Sequence, residues 1–304
     1  MKGLVVKSTG LWYEVVHEGR RYVARLRGKF KLEGKKLTNP IAVGDWVELV
    51  ENQQVENEWI IEKIYPRNNY VIRQSPRKKG FDHLMASNID QGIVIVTLRL
   101  PRTSVGFIDR FLITLEAFRI PGVIIFNKSD LYKKKDMELY ENLQRIYESI
   151  GYQVHLSSFE KDDLKDVANL FLAKKSLLAG HSGAGKSTLI NKLIPEAKQE
   201  VKEISGFANK GVHTTTFAEL FEMDSNSMII DTPGIKELAL SEIAEEELSH
   251  YFPEMRALIG KCRYHNCLHD NEPNCAIKED VGISISQERY ESYLSILHNE
   301  DNRK

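Results

Sequence analysis

The run Gly180-His181-Ser182-Gly183-Ala184-Gly185-Lys186-Ser187 has the G-x-x-x-x-G-K-S spacing of a loop that cradles phosphates. Ser176–Ala179 ahead of it reads as a strand end and Thr188–Ile194 behind it as the opening of a helix, the context such a loop needs. Glycines let backbone amides converge on an anion, and the amides of the following helix N-terminus, Thr188 included, add to the same site. Lys186 is expected to neutralise the outer phosphates during binding and transfer, and the Ser187 hydroxyl to ligate Mg²⁺. Asp231-Thr232-Pro233-Gly234 ends the apolar run Met228–Ile230. That places Asp231 at a strand end, where it can hold Mg²⁺ through water, and lets the Gly234 amide sense a terminal phosphate. A D-x-x-G by itself is a common turn; its position behind the phosphate loop is what gives it meaning.

Asn127-Lys128-Ser129-Asp130 follows the apolar stretch Val123–Phe126. A carboxylate there can accept from the two neighbouring N–H groups of guanine, a donor pair that adenine lacks. A site built around it rejects the wrong base because the mismatch leaves a buried polar group unpaired. Ser157-Ser158, at the end of the next strand, are placed to brace the base, or equally to serve as a plain strand-to-helix cap. Between the phosphate loop and Asp231 lies Glu203–Thr216, where Thr215 is expected to bring its hydroxyl to Mg²⁺ when a γ-phosphate is present. The alternative for that run of threonines is the start of an edge strand. Ile235 stands where many GTPases carry the glutamine that orients attacking water. His213 is the nearest group that could take the role, against the plain reading of a surface or capping histidine.

A further constellation is Cys262-x4-Cys267-x-His269-x5-Cys275. Three thiolates and one imidazole so close together can close a tetrahedral Zn²⁺ shell and leave no open position for catalysis, which makes the metal structural. Such a knuckle folds around its metal and staples a loop-rich segment onto the acidic helices before it. The rival is a reactive redox cluster. Three cysteines in so short a span are too few for a secreted disulfide framework.

These groups need a frame. Five short strands, Gly3–Val6, Trp12–Val16, Tyr22–Leu26, Trp46–Val50 and Glu58–Ile64, suggest a small barrel of OB type, with an SH3-like barrel as the rival. Arg20, Arg21, Arg25, Arg27, Lys29 and Lys31 fall where an oligonucleotide groove would need cations. Residues 74–81 read as a linker. Strand and helix then alternate: strands at Gly92–Leu98, Gly122–Phe126, Gln153–Leu156 and Ser176–Ala179, helices at Ile108–Phe118, Met137–Ile150 and Leu164–Phe171. This implies a mostly parallel sheet with helices on both faces, and ligands beyond its carboxyl edge. A hairpin over Phe217–Asp231, an acidic helical stretch and a final helix from Ser286 complete the chain. The expected organisation is a barrel over 1–73, the linker 74–81, an α/β domain over 82–236 and a helical Cys/His domain over 237–304.

With 304 residues, 42% hydrophobic and 28% charged, the composition excludes disordered and membrane classes. No segment reads as a signal peptide or membrane span, so a cytosolic location is expected, and no apolar heptad points beyond a monomer. Residues 1–80 hold 16 Lys and Arg against 9 Asp and Glu, an excess of +7; at net charge −1 the remainder carries −8. A basic first quarter suggests a nucleic-acid-facing module, the bland reading being a solvated surface.

The order of the motifs is unusual: base-reading motif first, phosphate loop second, D-x-x-G third, a circularly permuted order. Taken with the barrel and the cysteine knuckle, Asn127–Asp130, Gly180–Ser187, Gly211–Thr216, Asp231–Gly234 and Cys262–Cys275 make the sequence resemble the bacterial RsgA/YjeQ family of GTPases, which assist small ribosomal subunit maturation. The resemblance covers nearly the whole chain. It implies an OB-fold barrel, a permuted GTPase domain binding GTP or GDP with Mg²⁺, and a zinc-containing helical domain. It further implies that these grip the 30S subunit and its 16S rRNA, with hydrolysis stimulated by the subunit and His213 in a catalytic role. Gly183 stands where potassium-activated GTPases carry Asn, so potassium activation is not implied. The permutation also sends the chain from Gly234 straight into the zinc domain, so a nucleotide-driven shift of that turn would move a second RNA-facing surface.

Overall fold

The computed structural model describes residues 1–27, 39–53, 55, 58–74, 82–198, 218–232 and 243–299. Five strands close the barrel: β1 (Lys2–Ser8), β2 (Tyr13–His17), β3 (Arg20–Leu26), β4 (Trp46–Glu51) and β5 (Trp59–Ile64). They run in the order β1-β2-β3-β5-β4, and β4 returns to pair with β1. The parallel β3–β5 contact is the single one among antiparallel neighbours, which gives the Greek-key closure of an OB-type barrel rather than the SH3-like alternative. Alternating side chains fill its interior with Val5, Tyr13, Val15, Ala24, Val47, Leu49 and Ile61. The cations expected to line a groove are partly neutralised. Arg21 pairs with Glu14 at 3.3 Å, Arg25 with Glu58 and Arg27 with Glu62, while Lys29 and Lys31 lie outside the described residues.

β6 (Tyr70–Gln74) and β7 (Asp82–Ser87) pair antiparallel; residues 75–81, most of the expected linker, lie outside the described residues. The other part of the 11-stranded sheet that includes the barrel strands comprises β8 (Gln91–Val96), β9 (Gly122–Phe126), β10 (Gln153–Leu156), β11 (Lys175–Gly180), β12 (Glu219–Glu222) and β13 (Met228–Asp231), in the order β10-β9-β8-β11-β13-β12. All contacts in it are parallel except the β12–β13 hairpin. Every residue of β8 is buried, as a strand covered on both faces must be. Val94 and Val96 face α1 (Val105–Ala117) and α2 (Lys134–Ser149). Ile93 and Ile95 face α3 (Lys165–Asn169) and α4 (Lys186–Leu193) on the other side.

The starts of α1 and α2 lie earlier than apolar periodicity places them, because polar caps extend a helix beyond its first buried apolar residue, whereas α3 is shorter at both ends than the expected Leu164–Phe171. Ser104 accepts from Phe107 N and starts α1 at Val105 rather than Ile108, and Lys133 N donates to Asp136 Oδ2 at the start of α2. The barrel and this sheet are one body. β1 pairs with β12 at Lys7 and Glu219, whose side chains meet at 3.2 Å, and Leu4, Val6, Val16 and Val43 share a core with Val94, Phe111 and Ile124.

The last module is loop-rich: a 3₁₀ turn over Glu245–Tyr251, α5 (Pro253–Arg256), α6 (Ala276–Glu279) and α7 (Gln287–Leu297), which Ser286 caps. Its own core joins Leu248, Phe252, Met255, Ile277, Tyr293 and Ile296 to Ile113 of α1. No helix among the described residues is long and apolar enough to cross a membrane.

Candidate nucleotide site and metal centre

Parallel strands deliver their carboxyl ends to one edge, and the chain uses that edge five times. Leu98–Thr103 follows β8, Asn127 follows β9, Ser157 follows β10, Gly180 ends β11 and Asp231 ends β13. The phosphate loop turns through three left-handed glycines, Gly180 (φ 149°), Gly183 (φ 81°) and Gly185 (φ 111°). A Cβ on Gly185 would lie 2.3 Å from Asn127 Nδ2, and one on Gly180 2.7 Å from Ile95 O, so no side chain fits at either position. Lys186 opens α4 and donates from Nζ to Gly180 O at 2.7 Å, which holds its ammonium inside the curl of the loop. Ser187 and Thr188 follow in the first turn, where backbone amides are free of helix partners and suit an anion.

Asn127, 2% exposed, ties its own loop, residues 127–130, to the glycine loop of residues 180–187. Its Nδ2 donates to Ala184 O at 2.8 Å, and its Oδ1 accepts from Phe159 N at 2.9 Å. Lys128 is left-handed (φ 65°) and reaches Leu100 O at 2.7 Å; burial holds its ammonium below the usual lysine range. Asp130 is exposed at the rim and accepts from Ser158 Oγ at 2.5 Å. Ser158 N and Ser157 Oγ donate to Asp162 Oδ2 at 2.6 and 3.1 Å, and Ser129 N donates to Ser157 O at 3.2 Å. Ser158 therefore fixes the Asp130 loop and also caps the following turn, its Oγ accepting from Lys161 N at 3.3 Å. Asp231 and Thr232 are buried beside the strand that carries the phosphate loop, with Asp231 level with Leu178. Gly234, and with it His213 and Thr215, lies outside the described residues.

Residue patterns did not disclose the turn after β8. Pro101 lies 3.6 Å from the Cβ position of Gly183, Leu100 O takes the Lys128 ammonium, and the Phe107 ring stands 4.1 Å from that of His181 at 30°. Position after a buried strand was the available signal, because residue types there carry none.

Cys262, Cys267, His269 and Cys275 bring one ligand atom each to within 4.8 Å of one another. Cys262 Sγ and Cys275 Sγ are each 3.5 Å from His269 Nδ1 and 3.9 Å apart. A tetrahedron of Zn–S bonds of about 2.3 Å has edges of about 3.8 Å, so this donor set fits one zinc ion. Burial lowers the His269 pKa, favouring the neutral imidazole a ligand needs, and pushes the Cys267 thiol up to about 12, so metal uptake would have to expel protons. Glu272 holds the ligand loop by accepting from Leu268 N and Asp270 N at 2.8 and 2.9 Å, and Tyr290 donates to His269 O at 2.8 Å.

A mostly parallel sheet with a glycine cradle, the Asn127–Asp130 loop clamped to it and an acidic strand end beside it is the arrangement of a P-loop GTPase, here in permuted order with a barrel in front. The sequence profile of the RsgA GTPase family matches residues 64–241, and that of the RsgA N-terminal domain matches residues 2–58. A small ribosomal subunit biogenesis GTPase RsgA from Cytophaga hutchinsonii is 53% identical over 307 aligned positions that cover 100% of both chains. The crystal structure of YjeQ from Thermotoga maritima superposes with a TM-score of 0.75 at 32% identity, covering 100% of this chain and 99% of that one. YloQ, described as a circularly permuted GTPase, gives 0.72 at 29% identity, covering 100% and 96%. The chain belongs to the RsgA GTPase family and is a GTP hydrolase.

Proposed function

We propose that this GTPase serves the assembly of the small ribosomal subunit, that it binds 16S rRNA, and that the subunit stimulates its hydrolysis of GTP. The observation that carries this reading is the joining of the N-terminal barrel to the GTPase sheet through one shared core. An RNA contact on the barrel would then be made by the same rigid body that holds the nucleotide. Support comes also from the relative's name, which speaks of small-subunit biogenesis. In this reading GTP and GDP are held by Asn127, Lys128 and Asp130 at the base, by Ser157 and Ser158 behind it, and by Gly180–Thr188 at the phosphates, with Gly234 sensing the γ-phosphate. Ser187, Thr215 and Asp231 serve Mg²⁺, and Cys262, Cys267, His269 and Cys275 hold one structural Zn²⁺. Lys186 and Thr215 stabilise the transferring phosphoryl charge, and His213 orients the attacking water in the absence of a glutamine at Ile235. A cytosolic monomer fits this work.

The test is GTP hydrolysis by the full chain with and without purified 30S subunits. Stimulation that falls steeply with added salt is expected, since contacts to phosphates release counterions. Unchanged turnover in the presence of saturating subunits would sink the reading.

A further inference from the structure

Helix α1 has two working faces and one working end. Ile108, Phe111, Leu112 and Leu115 pack into the core beneath the sheet. Asp109, Ile113 and Glu116 recur at helical spacing, and each meets the Cys/His module. Ile113 is part of that module's core, and Arg256 Nη2 donates to Glu116 Oε2 at 2.7 Å. Asp109 accepts from Arg289 Nη1 of α7 and, at 2.8 Å, from Tyr147 Oη of α2. Arg289 grips Glu254 of α5 with its other nitrogens, Nε to Oε1 at 2.6 Å and Nη2 to Oε2 at 3.2 Å, under the Phe252 ring. Arg289 is 1% exposed and Asp109 is 0% exposed.

At its amino end the same helix abuts the nucleotide loops, through Phe107 on His181 and through the Leu100–Pro101 turn on Lys128 and Gly183. Thr97 and Thr103 close that turn between the end of β8 and the start of α1: Thr103 N donates to Thr97 O at 2.8 Å, and Thr97 Oγ1 donates to Pro101 O. Phe107 and Asp109 are about 3 Å apart along one helix axis, so they move together. A buried guanidinium between two carboxylates tolerates little displacement, because its fork fixes direction as well as distance.

We propose that Arg289 is a positioning residue for GTP hydrolysis: through Asp109 it sets α1, and α1 sets Phe107 against His181 and Leu100–Pro101 against Lys128 and Gly183. Docking of the Cys/His module is then a condition for the geometry of the phosphate loop. The inference rests on residues 127–130 and 180–187 being the nucleotide site; wild-type protein that fails to bind GTP would overturn that assignment, whereas the variants below test Arg289 alone.

The experiment measures basal kcat and KM for GTP on the full, metal-containing chain. Arg289→Met and Phe107→Ala should each lower kcat about tenfold, as small misplacements of reacting groups do, with KM within about threefold. Because both act through one element, the double variant should be no slower than the slower single variant. Asn142→Ala, which removes a 3.0 Å hydrogen bond from α2 to Glu288 of α7 without involving α1, should leave both constants unchanged. The proposal falls if Arg289→Met keeps kcat within about twofold while retaining its metal, if the two single effects multiply, or if Asn142→Ala slows turnover as much. Arg289→Lys keeps a cation opposite both carboxylates but loses the fork; it is read by the same rule where Arg289→Met does not fold.

Discussion

Asn127→Ala is the perturbation whose outcome follows most directly from the geometry. The carboxamide makes two buried hydrogen bonds, to Ala184 O at 2.8 Å and from Phe159 N at 2.9 Å, and so joins three loops that arrive from three strands. Removing it orphans a carbonyl and an amide, each worth about 1–3 kcal/mol when left unpaired. The space vacated holds roughly one water, which can satisfy one of the two, so the net loss is about 2 kcal/mol. Part of that loss appears in folding and part in binding, because a nucleotide would span the phosphate loop and the base loop that the clamp aligns. At about 1.4 kcal/mol per factor of ten, GDP affinity should fall roughly tenfold. Titration with a fluorescent GDP analogue reads the affinity, and urea unfolding followed by circular dichroism reads the stability. Asn127→Asp should do no better, since a carboxylate cannot donate to Ala184 O. GDP affinity within about twofold of wild type together with an unchanged unfolding midpoint would refute the clamp.

Other consequences are equally open to measurement. Asp130→Asn replaces an acceptor with a donor at the rim of the base site, so GTP affinity should drop about 100-fold or more while xanthosine triphosphate, which offers a carbonyl at that position, gains; an unchanged preference for guanine would remove Asp130 from base recognition. Native mass spectrometry should find one zinc per chain, and chelation should abolish the near-ultraviolet signal of the tyrosines packed on the ligand loop; protein that is fully folded with no metal would contradict the zinc assignment. His155 Nε2 is buried with no hydrogen-bond partner, and burial lowers its pKa. The unfolded chain therefore binds the proton more readily than the fold does, so this residue withdraws stability as pH falls below about 6.5 and withdraws none above it. In His155→Gln, unfolding free energy between about pH 7 and pH 5.5 should depend less on pH than in wild type, and identical slopes would refute this.

What could be read from residue order alone was chemistry held in short, contiguous spacing. Gly180–Ser187, Asn127–Asp130, Asp231–Gly234 and the cysteine–histidine knuckle each place their groups within one turn or loop, so local backbone rules suffice to interpret them. Strand and helix alternation disclosed the parallel sheet for the same reason, since a period is a local property. Charge was legible only as a count. The arginines at 21, 25 and 27 are ion-paired across strands to glutamates at 14, 58 and 62, and pairing between strands has no trace in composition.

Tertiary structure decided how those parts are joined. The Arg289–Asp109 pair spans 180 positions and the Asn127–Ala184 clamp spans 57, and neither residue of either pair carries a mark of its partner. Likewise, Leu4 and Val6 have the alternation of any barrel strand, yet they share a core with Phe111 of α1 and fuse barrel and GTPase into one body. Sequence determined which chemistry the chain carries because ligand sets and caps are built from neighbours. Only the fold decided what moves with what, because burial and long-range pairing depend on the whole chain at once.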